Sequence, residues 1–64
     1  MYKIKAKMFG GQNRYVVNRP VGRDQLRYTN DESNAYQFDD FAQCCAVRDC
    51  ALQDNHRTDI LRVS

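Results

Sequence analysis

Tyr2, Ile4, Ala6 and Met8 alternate with Lys3, Lys5, Lys7 and Phe9. Successive side chains on a strand point to opposite faces, so this run reads as a strand with one buried and one solvated face. Gly10-Gly11-Gln12-Asn13 follows, with glycines that accept positive φ, and then the apolar run Tyr15-Val16-Val17. Together the segments predict a β-hairpin.

Beyond the hairpin, Pro20 and Gly22 interrupt the pattern, and Gln25-Leu26-Arg27-Tyr28-Thr29 offers a third short strand. Thr29 to Asn34 is a turn cluster, and one helical turn capped by Asn30 or Asp31 would carry Ala35 inward. The main helix is expected to start at Asp39 or Asp40, because either carboxylate can cap free amides and Asp40 with Gln43 has capping-box spacing. It is expected to run to about Asp54, with Asn55 and His56 ending it. At about 100° per residue, Phe38, Phe41, Cys45 and Leu52 form its apolar arc, with Cys44 and Ala51 beside them and Asp39, Gln43, Cys50 and Asp54 opposite. Arg48 falls inside that arc, so its stem is expected along the sheet edge and its head in water. Ile60-Leu61-Arg62-Val63 closes the chain as a strand. The fold class is therefore α+β: a small antiparallel sheet of three to four strands, order β-β-(β)-α-β, with one main helix packed on one face.

Sixty-four residues make a single domain, residues 1–64, and a domain of this size leaves little room for a deep cavity. A composition 42% hydrophobic and 28% charged is too apolar for disorder. No apolar run approaches the roughly 18 residues of a membrane span, and lysines interrupt the place of a signal-peptide core. A soluble, cytoplasmic protein without membrane association is expected.

Cys44, Cys45 and Cys50 crowd into one helix, where side chains at those spacings diverge and cannot close an unstrained disulfide. Reduced thiols are the simpler reading. They also lack the paired spacing of a structural zinc site, so no metal is expected. Gly10-Gly11 lacks the spacing and following helix of a phosphate loop. The carboxylates fall at turns, caps and the outer helix face, where solvation and capping explain them. No catalytic residue and no cofactor is assigned, and the chain reads as a non-enzyme.

Charge gives the remaining signal. Residues 1–27 carry seven of the ten basic side chains and one acid, whereas residues 28–64 carry seven acids and three bases. Such a division creates a field able to steer partners of opposite sign. Lys3, Lys5 and Lys7 project from one side of a strand at roughly 6.8 Å intervals, near the phosphate spacing of a nucleic-acid strand. With Arg14 across the hairpin they are expected to form a basic stripe, and Phe9 is its candidate apolar anchor. Lysines on a solvated strand also discourage edge-to-edge aggregation.

The stretch Thr29-Asn30-Asp31-Glu32-Ser33-Asn34-Ala35-Tyr36-Gln37-Phe38-Asp39, the Ala/Cys-rich helix after it and the closing strand resemble a layout of small phage- and prophage-encoded accessory proteins. Length and layout are also similar to small phage-encoded inhibitors of bacterial RNA polymerase. The resemblance implies a module of viral origin in the bacterial host cytoplasm, binding and modulating a host macromolecule through a basic face. The expected partner is a host protein with an acidic surface, contacted by Lys3, Lys5, Lys7, Phe9 and Arg14. Nucleic acid on the same stripe is the alternative, and the sequence carries no signal for oligomeric state.

Overall fold

The structure is a computed structural model that describes every residue except Gly22 and Ser64. Four strands, β1 (Tyr2–Lys7), β2 (Asn13–Val16), β3 (Tyr28–Thr29) and β4 (Arg57–Arg62), form one antiparallel sheet in the order β3-β2-β1-β4. One helix, α1 (Phe41–Leu52), packs on β1 and β4. The expected α+β architecture is present, and the third strand pairs as Tyr15 with Thr29 and Val16 with Tyr28.

The hairpin turn is closed by Met8 N–H donating to Gln12 O at 2.7 Å and Gly11 N–H donating to Met8 O at 2.9 Å. Gly11 sits at φ 92°, where a side chain would be strained. The long connection from β2 to β3 is held by Asn18, whose amide donates to Gln25 O at 3.0 Å and accepts from Arg27 N–H at 2.9 Å. Asp31 caps a short 3-10 turn, Glu32–Asn34, by accepting from Ser33 N–H and Ser33 Oγ at 3.0 and 2.7 Å. These two bonds hold its carboxyl below the usual range. The turn delivers Ala35 into the interior, as expected.

Where β2 leaves β1, the segment after this turn takes its place. Tyr2 and Phe38 exchange backbone bonds of 2.8 and 2.7 Å, and Tyr36 N–H donates to Val16 O at 2.9 Å. Phe38 is thereby fully buried among Ile4, Val16, Cys44, Val47 and Ala51.

Of the two expected caps, Asp39 and Asp40, it is Asp40 that caps α1, accepting from Ala42 N–H at 3.0 Å. The buried face differs from the expected one. Cys44, Val47 and Ala51 face the sheet, whereas Phe41 and Leu52 are 52% and 48% exposed and Cys45 is half-buried. Relative to the expected arc, the helix is turned by roughly 100°, one residue step. The small side chains of Cys44 and Ala51 permit close approach to the sheet, and Phe41 instead lies edge-on to the Tyr2 ring, centroids 5.0 Å apart. Strand β4 begins at Arg57, three residues before the expected Ile60.

Candidate functional site

The face of the sheet opposite α1 carries the lysine row. Directly paired residues share a face. Lys5 pairs with Tyr15 on one side and Asp59 on the other, Lys7 with Asn13 and Arg57, and Lys3 with Leu61. The open face thus holds Lys3, Lys5, Lys7 and Arg57 around Tyr15, Asp59 and Leu61. Lys3 and Lys5 are half-buried and Lys7 is exposed.

Local contacts modify that charge. Lys3 Nζ donates to Glu32 O at 3.3 Å, drawing it toward the 3-10 turn. Asp59 lies 3.4 Å from Arg57 Nε, an exposed pair of small energetic weight. The Tyr15 hydroxyl is pushed above its ordinary pKa, first by desolvation and then by the charge of Glu32 and the bond to it. Lys7 directly faces Arg57, and like charges in register across a ladder oppose each other. With one carboxylate, Asp59, beside Lys5, Lys7 and Arg57, that end of the face keeps a net positive charge.

Two residues expected on this surface are placed elsewhere. Arg14 pairs with Ala6 and therefore lies on the helix side of the sheet. Its Nε donates to Asn55 Oδ1 at 2.8 Å, its Nη2 donates to Asp54 O at 3.3 Å, and its guanidinium covers the Tyr28 ring at 3.9 Å. Arg14 is a tie between β2 and the end of α1, because the hairpin register that sets Lys5 against Tyr15 must set Arg14 against Ala6. Phe9 is 75% exposed, in the turn beyond the end of β1, with its ring edge-on to His56 at 5.8 Å. It stands at the tip of the hairpin, outside the lysine ladder.

Sequence reasoning missed Arg57 and Tyr15 as members of the open face. Extending the alternation of Ile60 to Val63 backward through Asp59 would have found Arg57. Tyr15 follows from pairing it with Lys5.

The thiols contribute no assembled centre. Cys44 is buried, Cys45 half-buried and Cys50 exposed, and all three are free. Burial, reinforced by neighbouring Cys45, pushes the Cys44 thiol above its ordinary pKa. Among the described residues, no three His, Cys, Asp or Glu side chains cluster as a metal site. No helix among them is long and apolar enough to cross a membrane. An open groove of about 780 Å³ runs between α1 and the β2–β3 connection, lined by Asp24, Leu26, Val47, Cys50 and Asp54 among others.

No family model matches the chain. No curated protein and no solved structure matches it either.

Proposed function

We propose that the protein is a non-enzymatic binding module that docks the open face of its sheet onto an acidic surface of a protein partner. The observation that carries this reading is the alignment of Lys7 with Arg57, beside Lys5, on the face opposite α1 and away from the Lys3–Tyr15 corner that the 3-10 turn contacts. Like charges held in register cost stability in the isolated domain, and a carboxylate-rich partner would remove that cost. Leu61 beside Lys3 and Tyr15 beside Lys5 supply the apolar contact that an interface core needs. The resemblance of the sequence layout to small phage accessory proteins makes a bacterial host protein the first partner to seek, with the module modulating or inhibiting it inside the cell.

A second reading has its own support. Tyr15 stands directly beside Lys5, and an aromatic ring next to a row of cations is the arrangement by which sheet surfaces stack single-stranded nucleic acid. One comparison separates them. The wild-type chain and its Lys3→Glu, Lys5→Glu, Lys7→Glu variant are passed over bacterial lysate with and without nuclease. One defined protein, retained by the wild type alone and unaffected by nuclease, supports the protein reading. Retention that nuclease abolishes, with steep loss as salt rises, supports the nucleic-acid reading.

A further inference from the structure

Strand β4 is at the margin of the sheet, and its outer edge has no strand against it. Which backbone groups face outward follows from the ladder, since the N–H and C=O of a strand residue share a side and the side alternates along the chain. Tyr2 directs both groups to Phe38, on the β2 side of β1, and Val63 N–H donates to Met1 O at 2.7 Å. Odd-numbered residues of β1 therefore bond β4 through Arg57, Asp59 and Leu61. Thr58, Ile60 and Arg62 direct their N–H and C=O groups away from the sheet, and no protein group among the described residues bonds them. This is a row of obligatory hydrogen-bonding groups of the kind that templates strand addition.

The flank of α1 above this edge is apolar around one cation, Arg48, whose guanidinium is turned to Asp49 at 3.2 Å. Gln43, Val47, Cys50 and Asp54 turn toward the β2–β3 connection, which places Phe41, Cys45, Arg48 and Leu52 on the other flank, over the β4 side. Phe41 and Leu52 are half exposed there. Edge and flank thus form one surface.

We propose that this surface is a self-association interface, in which β4 pairs antiparallel with β4 of a second copy about a two-fold axis normal to the sheet. The register that brings Ile60 opposite its own copy also brings Thr58 opposite the second copy's Arg62, so that all three outward residues are bonded. On the open face it sets Asp59 against Leu61, with no like charges opposed. Of the two neighbouring registers in phase with the hydrogen bonds, one would set Asp59 against Asp59, which disfavours it, and the other, with Leu61 against Leu61, would bond only Ile60 and Arg62 of the three outward residues. The same geometry fits the helices. Strands in a sheet lie about 4.8 Å apart, so helices resting on the β1–β4 seam of each copy would be separated by two spacings, about 9.6 Å. Packed helices lie about 8 to 10 Å apart, so the Phe41 and Leu52 flanks would meet. A second copy is therefore the occupant that matches both the backbone edge and the apolar flank. The pair would also join two lysine faces on one side of a continuous sheet, while the interface itself uses none of those lysines.

Sedimentation equilibrium and amide exchange on the purified chain test this. The expected mass is twice the 7.5 kDa of the chain. The amides of Thr58, Ile60 and Arg62 should exchange slowly, approaching those of Asp59 and Leu61, which are bonded to β1 in either state. Leu52→Lys should weaken dimerisation at least tenfold, and Thr58→Pro, which removes an outward N–H, should give folded monomer. Lys3→Glu, Lys5→Glu, Lys7→Glu should remain dimeric, so failure of the lysine-face reading is separable from failure of this one. A wild-type chain that sediments as monomer at millimolar concentration, with the three outward amides exchanging freely, would overturn the proposal. So would a dimer that Leu52→Lys leaves intact while those amides stay unprotected.

Discussion

Arg14 Nε donates to Asn55 Oδ1 at 2.8 Å, joining residues 41 positions apart in the chain. Asn55 is only 2% exposed, and its Nδ2 donates to Ala51 O at 2.7 Å and to the Tyr28 hydroxyl at 3.4 Å. One amide therefore satisfies the end of α1, β2 and β3 together. Asn55→Ala should cost about 1 to 2 kcal/mol, because it removes the acceptor of Arg14 Nε and a partner of the Tyr28 hydroxyl, while Ala51 O keeps the Asp54 N–H. Chemical denaturation of Asn55→Ala, Arg14→Ala and the double variant checks this. Coupling between the two changes is expected, and strict additivity would contradict the tie.

Phe38 and Phe41 should respond differently to truncation. Phe38 is fully buried, so Phe38→Ala should cost about 3 to 5 kcal/mol and unfold a domain this small. Phe41 is half exposed and rests on one ring, so Phe41→Ala should cost about 1 kcal/mol. Equal losses would return Phe41 to the core.

Thiol reactivity should rank with exposure. Cys50 should label fastest and Cys45 more slowly, while Cys44, buried and with its pKa raised, should label only on unfolding. Replacing Cys45 and Cys50 with Ala should leave partner binding unchanged. Rapid labelling of Cys44 in native protein would contradict the helix orientation.

The Asp31 carboxyl should titrate below the ordinary aspartate value, because Ser33 donates two hydrogen bonds to its charged form. A depressed folded value means that its contribution to stability is present above the ordinary carboxylate pKa and is lost as pH falls through the folded value. Carboxyl-carbon NMR titration measures this directly. Ser33→Ala should raise the Asp31 midpoint toward the ordinary value, and an unmoved midpoint would contradict the assignment. At the alkaline end, Tyr28 is raised chiefly by burial, so the stability tied to its neutral form is present below the ordinary tyrosine pKa and lost as pH rises through the folded value.

The hairpin, the Asp31 turn and the Asp40 cap were legible because each rests on local chemistry: alternation, glycine in the turn, a carboxylate facing free amides. The buried face of α1 was not, because ranking residues by hydrophobicity favours Phe41 and Leu52, whereas close contact with a sheet favours small Cys44 and Ala51. Arg14 was misplaced for a different reason. Its charge suggested the lysine row, but its face is set by pairing with Ala6, a non-local register. Asn55 reads locally as a helix end, and only the approach of β2 and β3 makes it a buried junction. The lysine alternation survives in the structure, and the addition of Arg57 depended on β4 lying beside β1.

The most direct test of the account is the affinity of the Lys3→Glu, Lys5→Glu, Lys7→Glu variant for the partner that the wild-type chain retains, measured across a range of salt. Lys7 is exposed, Lys3 and Lys5 are half-buried on the face away from the core, and none belongs to the buried cluster, so the variant should keep the wild-type circular dichroism spectrum and stay folded. Its binding should weaken tenfold or more at low salt, chiefly through slower association, and the difference from wild type should shrink as salt rises. Unchanged affinity with unchanged salt dependence would show that the open basic face is not the contact surface.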